Sequence, residues 1–147
     1  MARWWRIMKG RDDGSAAVEF ALIAPVLVLM LIAVVDLGLV MIDNVRLSSA
    51  VRAGAQFAMQ DPDDKTSIRT VAVNATTLTI DPADITVSDK FCECDGVVSA
   101  CDTTCASGFA PGEYVTVTAT TTVTSILSYP WLPSPTTLSQ STTIRVE

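Results

Sequence analysis

A long apolar run, from Ala16 to Ile42, constrains this chain more than any other feature. Its only ionisable residues are Glu19 and Asp36, and it exceeds the roughly 20 residues that a helix needs to cross a bilayer. It is too long for the apolar core of an ordinary secretory signal, which spans about 7 to 15 residues. A buried helix of a soluble protein is the alternative, but the rest of the chain is too short to surround such a helix. The run therefore predicts a transmembrane helix over residues 15–42.

Charged residues on either side of the run predict its orientation. Four basic residues and two acids precede it, whereas six basic and twelve acidic residues follow residue 42. Because basic flanks are retained on the cytoplasmic side of a membrane, we expect a cytoplasmic leader at residues 1–14 and an external part from residue 43 onwards. The net acidic charge of the external part argues against a nucleic-acid partner, since such a partner requires basic side chains to neutralise its phosphates.

Four cysteines, Cys92, Cys94, Cys101 and Cys105, lie within fourteen residues of the external part. An even number of closely spaced cysteines outside the cytoplasm predicts two intramolecular disulfides. A Cys92–Cys94 bond is disfavoured because residues two apart on a strand point the same way at nearly the largest Cα separation a disulfide spans. The cross-pairings remain open. A zinc site of four thiolates is the alternative, but the spacings depart from the usual pairs, so we expect neither a metal nor a cofactor.

Apolar periodicity predicts the helices of the external part. Helical spacing continues past the membrane into an extension at residues 43–60, which gives one helix from Ser15 to Met59 that stops before Pro62. A second, shorter helix is predicted over about residues 63–78, where Asp63 and Asp64 suit its positive N-terminal end.

Alternating apolar residues then predict strands at 85–91, 115–123 and 139–146. The predicted fold is α+β: a long N-terminal transmembrane α-helix carries a small extracytoplasmic head at residues 61–147. That head is expected to contain a short helix, an antiparallel sheet and a disulfide-bearing loop.

Catalytic machinery is missing from the pattern of residues. The chain has no histidine, no glycine-rich phosphate loop, and external carboxylates that are scattered over predicted loops and solvated faces. We therefore expect that the protein is not an enzyme.

The opening of the apolar run carries a more specific motif. A basic leader ends at Gly14, Ser15 follows, and Glu19 is the fifth residue after the glycine, directly at the start of the apolar helix. This arrangement resembles the class III signal of type IV pilins and pseudopilins. The segment GSAAVEFALIAP, followed by a long helix and a small head with a Cys-x-Cys pair, resembles the TadE-like family of the tight-adherence (Flp) pilus system.

The resemblance implies a processing event and a set of partners. A prepilin peptidase would cut after Gly14 on the cytoplasmic face of the bacterial inner membrane, and Ser15 would become the new N-terminus. Glu19 would then pair with the terminal amine of a neighbouring subunit. The implied partners are the inner membrane, the prepilin peptidase, other pilin or pseudopilin subunits and the assembly machinery. The head would be periplasmic, or exposed on the pilus or cell surface.

Departures from the pilin pattern refine this expectation. Ser15 stands where many type IV pilins have phenylalanine, so methylation of the new amine stays open, and Phe20 stands where major Flp pilins often have tyrosine. The head is too large for the short major pilin, so a minor pilin or pseudopilin is the closer match. The alternative is an uncleaved, signal-anchored envelope protein whose periplasmic head binds a ligand or surface, with Glu19 an acid at the membrane edge.

Overall fold

The computed structural model describes residues 13–126 and 135–146. All of the predicted leader except its last two residues lies outside the described residues. The chain divides into two compact units, Met1–Gly38 and Leu39–Glu147. The first contains most of the apolar run, and the second contains the head together with the end of the first helix.

The first helix, α1, spans Asp13–Ala58, within two residues of the predicted bounds at each end. It continues through Pro25, whose missing N–H removes one bond to the preceding turn. Beyond its last residue, the backbone N–H groups of Gln60 and Asp61 both donate to the carbonyl of Phe57, at 2.9 and 3.2 Å. The helix stops there because the residue before Pro62 is held away from helical backbone angles.

The second helix, α2, spans Lys65–Asn74 and is shorter than predicted at both ends. It begins after Asp64 because that carboxylate accepts hydrogen bonds from the Ser67 hydroxyl and from the Ser67 backbone N–H at 3.0 Å, which together form an N-cap. These bonds stabilise the ionised form and lower the pKa of Asp64. After the helix, the Thr76 hydroxyl accepts from the Leu78 N–H at 3.2 Å. Such local bonds offer the backbone an alternative to the helix, so the threonines end α2 early.

An antiparallel five-stranded sheet forms the rest of the head. Its strands are β1 (Ile85–Val87), β2 (Phe91–Cys94), β3 (Val97–Ser99), β4 (Gly112–Val123) and β5 (Thr136–Arg145). The long β4 is central: β1 and β2 follow each other along one of its edges, and β5 pairs along the other. The antiparallel sheet and the α+β class are thus confirmed. The cysteine segment, predicted only as a loop, contains a hairpin of β2 and β3.

Residues 88–90 interrupt the pairing with β4 between β1 and β2, and they contact the start of α2. Three residues, 88–90, stand opposite two on β4, because Val87 pairs with Val117 and Phe91 pairs with Tyr114. Ser88 bridges the break: its backbone N–H donates to the Thr116 carbonyl and its hydroxyl accepts the Thr116 N–H, both at 2.9 Å. The two residues that follow form ion pairs with the start of α2, Asp89 with Lys65 and Lys90 with Asp63. The Lys65 ammonium lowers the pKa of Asp89.

The core of the head lies between the two helices and the inner face of the sheet. Buried residues recur at helical spacing along the end of α1 and meet alternate residues of β1 and β4. Gly54 permits close packing here, since a Cβ atom at this position would lie 3.1 Å from the Cβ of Ala72 and 3.4 Å from Cγ1 of Val117. At the margin of the core, Nε2 of Gln140 on β5 donates to Oδ1 of Asn44 on α1 at 2.8 Å. The buried apolar members are Leu47, Val51, Ala55, Ala58, Ile68, Ala72, Ile80, Ile85, Val87, Val115, Val117 and Ala119.

Candidate functional site

The Gly14–Ser15 peptide bond lies in the first turn of α1, which begins at Asp13. The first four N–H groups of a helix have no partner within it, so this turn is held by fewer bonds than the turns that follow. Glycine weakens it further, by about 1 kcal/mol relative to alanine. Unwinding a single turn would therefore present this bond in an extended form at low energetic cost.

Glu19 lies one helical turn beyond Ser15, so both residues are on the same face of α1. Its side chain is exposed and is surrounded on the helix surface by apolar residues such as Val18 and Phe20. Within residues 13–126 and 135–146, no hydrogen bond or ion pair reaches the Glu19 carboxylate. The structure thus places a carboxylate on an apolar surface with no partner from the described part of its own chain.

The apolar surface of α1 extends around its whole circumference. Exposed side chains follow one another from Val26 to Leu31 without a polar interruption, so no side of the helix is polar there. None of its most apolar stretch is buried within the described chain. Leaving such a surface in water costs about 25 cal/mol per Å². Among the described residues, α1 is the one helix that is long enough and apolar enough to cross a membrane. It fits a single-pass anchor.

Asp36 differs from Glu19, although both are acids of the same apolar run. Its side chain is 4% exposed, and it is the one buried charged residue in the described part of the chain. A carboxylate withdrawn from water is tolerated where other groups compensate its charge, and Asp36 does take part in a polar interaction. It is therefore not an acid left facing solvent.

The cysteines form two disulfides in the head, Cys92–Cys101 and Cys94–Cys105, with Cα–Cα distances of 5.1 and 5.3 Å. The prediction of two crossed bridges is confirmed. Each bridge ties a residue of β2 to the loop that follows β3, so the hairpin and the loop are held together twice.

A tight turn at Asp95 and Gly96 makes this pairing possible. Both residues have positive φ angles, 53° and 83°, and they connect β2 to β3 as a two-residue hairpin loop. Asp-Gly is a characteristic sequence of such turns, since both positions require a left-handed backbone. This dipeptide is the signal from which sequence analysis could have predicted β3.

Each disulfide is expected to contribute strongly to the stability of the head. The bridges join residues 9 and 11 positions apart, and cross-links of that kind typically contribute about 2 to 4 kcal/mol. Replacing Cys92 and Cys101 together by alanine should lower the free energy of unfolding by that amount. The loss should be at least as large as for the other pair, since Cys92 is 2% exposed and its removal leaves a cavity.

Urea unfolding of the full chain in detergent, followed by circular dichroism, measures this loss. Asp102→Ala, in the exposed part of the same loop, is the control and should leave the midpoint unchanged. An unchanged midpoint for the double alanine variant would contradict the prediction. Four reactive thiols in the oxidised, denatured chain would contradict the disulfides themselves.

A cleft of about 400 Å³ lies beside the disulfide hairpin. Glu93, Asp95 and Arg145 contribute charges of both signs to its lining, and Phe109 and Tyr114 contribute aromatic rings. The Tyr114 ring also stacks with Phe91 at a centroid distance of 6.1 Å. This cleft has no signal in the sequence, because its residues come from four separate segments. Its mixed charges do not single out an anionic or a cationic ligand.

Comparison with known proteins identifies a similarity at the N-terminal end of the chain. The model of the TadE-like protein family matches residues 14–56, which begin at Gly14, include Glu19 and extend almost to the end of α1. No curated protein and no solved structure matches the chain. Over residues 14–56, which include Gly14, Glu19 and the apolar helix, the chain is similar to the TadE-like family, in agreement with the resemblance of its sequence motif.

Proposed function

We propose that this chain is a minor pilin or pseudopilin that takes part in assembling a tight-adherence type IV pilus after a prepilin peptidase cleaves it behind Gly14. One observation carries the proposal: the family match begins at that glycine and covers Glu19 and the exposed apolar helix. A protein that used α1 only as an anchor would need the apolar residues but not a glycine five positions before a carboxylate.

The proposed topology follows from charge and from the disulfides. Residues 1–14 form the cytoplasmic leader, residues 15–42 cross the inner membrane, residues 43–60 extend the helix, and residues 61–147 form the periplasmic head. The basic leader supports this orientation. The two disulfides support it independently, because such bonds persist in the oxidising periplasm and not in the cytoplasm.

Cleavage would change the electrostatics at the start of α1. The helix would then begin at Ser15 with a new ammonium group, next to the backbone N–H groups that make a helix N-terminus positive. A positive charge is unfavourable at that end by roughly 0.3 to 1 kcal/mol. A carboxylate from another molecule offsets this cost and satisfies the new amine.

Glu19 is the carboxylate that fits this role. Placing an isolated acid inside the membrane costs on the order of 3 kcal/mol of insertion free energy. An ammonium group that pairs with Glu19 would offset this cost. In the proposed assembly, Glu19 of one subunit pairs with the Ser15 amine of its neighbour as the apolar helices pack together. Because the amine is created by cleavage, processing and recruitment are coupled.

N-terminal sequencing of the mature protein tests the proposal directly. Cells that contain a prepilin peptidase should yield a chain that begins at Ser15, and cells that lack the enzyme should yield a chain that retains the leader. An intact leader in both strains would instead favour an uncleaved envelope anchor whose head binds a ligand or surface.

A further inference from the structure

Within residues 13–126 and 135–146, the strand β5 leaves one long edge of the sheet unpaired. Its other edge is paired with β4 over ten residues, from Thr136 to Arg145. The Val146 N–H donates to the Glu113 carbonyl, which shows which residues of this strand direct their backbone groups towards β4. Even-numbered residues of β5 bond to β4, and odd-numbered residues direct their N–H and C=O groups away from it. Thr137, Ser139, Ser141 and Thr143 thus direct N–H and C=O groups to the open edge, and in the described part of the chain these groups have no partner.

The composition of β5 does not protect this edge. Natural sheets usually cover an exposed edge, shorten it, bulge it, or place lysine or proline on it, since an open edge pairs with other chains. Residues 136–144 contain neither a proline nor a charged residue, and their pairing with β4 is continuous. The side chains of the outward-bonding residues from 137 to 143 are exposed and carry hydroxyls. Over residues 136–144, neither proline nor charge opposes pairing with a further strand.

We propose that β5 pairs antiparallel with β5 of a second copy of this chain, which joins two heads through one continuous sheet. The register that uses Thr137, Ser139, Ser141 and Thr143 places Ser139 opposite Ser141 of the second copy and Thr137 opposite Thr143 of the second copy. Each such pair exchanges two backbone hydrogen bonds. The arrangement is a two-fold one in which the same edge serves both copies, so it closes at two chains.

The sequence of β5 is complementary to itself when two copies pair antiparallel, and for this reason we infer that the partner strand is β5 of a second copy. In this register, threonine meets threonine and serine meets serine on the outer face, pairs that stabilise neighbouring strands. On the inner face, Gln140 meets Gln140 of the second copy, and Leu138 meets Thr142 of the second copy. Two copies of a chain with a net charge of −6 repel each other over most surfaces. The β5 edge is a place where they meet without opposing like charges.

Cysteine cross-linking of the full chain in membranes tests the register. Ser139→Cys and Ser141→Cys, produced together in the same cells, should cross-link between copies, because hydrogen-bonded partners on antiparallel strands lie about 5.5 Å apart at Cα, within disulfide range. Either variant alone should give at least about fivefold less dimer, since its two cysteines would lie beyond the limit of about 7 Å. Equal yields from the pair and from the single variants, or cross-links to a different protein, would overturn the proposal.

A charge placed on the edge provides the second test. Ser141→Lys, introduced into both chains of a Thr137→Cys plus Thr143→Cys mixture, sets two ammonium groups close together across the proposed two-fold axis and should reduce the cross-linked dimer several-fold. Thr118→Lys, beside Ser141 on β4, is the matched control and should leave cross-linking at the β5 edge unchanged. A dimer yield that is insensitive to Ser141→Lys would overturn the proposal. Neither test depends on cleavage after Gly14, so its failure is distinct from that of the proposed function.

Discussion

Replacing Gly14 by leucine is expected to abolish processing and to leave a precursor that retains residues 1–14 in cells that contain prepilin peptidase. Two physical effects act together. A leucine side chain obstructs the close approach of a protease to the backbone at the cut, which the glycine leaves open. Leucine also stabilises the first turn of α1 by close to 1 kcal/mol relative to glycine, so the bond is less often extended. Intact mass measurement of the purified protein separates the two chain lengths.

Gly38→Leu is the matched control for this experiment. It is the same substitution in the same helix, and a Cβ atom at residue 38 meets no atom within 4 Å. This variant should be processed like the unaltered chain. Equal masses for the Gly14→Leu and unaltered proteins would show that the glycine is not the cleavage determinant and would remove the main support for the pilin assignment.

Glu19→Gln is expected to separate assembly from processing. The amide keeps the shape of the side chain and removes its charge, so the chain should still insert, be cleaved after Gly14 and form both disulfides. Recruitment should fail, because the ammonium group of the neighbouring subunit would remain without its partner in a poorly hydrated site. Breaking one side of a buried ion pair costs about 3 to 5 kcal/mol, which corresponds to a loss of affinity on the order of a hundredfold or more.

Pilus yield at the cell surface and cross-linking to other pilus components measure recruitment, in cells where processing has first been confirmed. Glu113→Gln, an acid-to-amide change on β4 of the head, is the control and should leave pilus yield and cross-linking unchanged. Normal pili and normal cross-links with Glu19→Gln would assign Glu19 to the membrane edge and reduce α1 to an anchor. A pair formed within one chain, between Glu19 and its own Ser15 amine, would likewise leave recruitment intact.

Local patterns were sufficient to predict much of this protein. The span of α1 follows from the apolar run, from the helical spacing that continues after it and from Pro62 beyond its end, all of which act on neighbouring residues. The alternation in β4 and β5 predicts their strands, because one face of each must meet the core and the other must not. The motif at Gly14 and Glu19 is likewise a matter of spacing along one helix, and the family match covers the same residues.

Contacts between distant segments decided the rest. The partners of Cys92 and Cys94 depend on how the loop after β3 folds back on the hairpin, which the spacing of the cysteines does not specify. β5 is an edge strand because β4 pairs with β1 and β2 on one side and with β5 on the other, and no further described strand pairs with β5. Strand order and disulfide pairing are set by which surfaces bury each other once the chain is compact. The apolar periodicity of a helix or a strand is a property of neighbouring residues. The sequence alone therefore determined the helices and strands, and the tertiary structure determined which of them lie side by side.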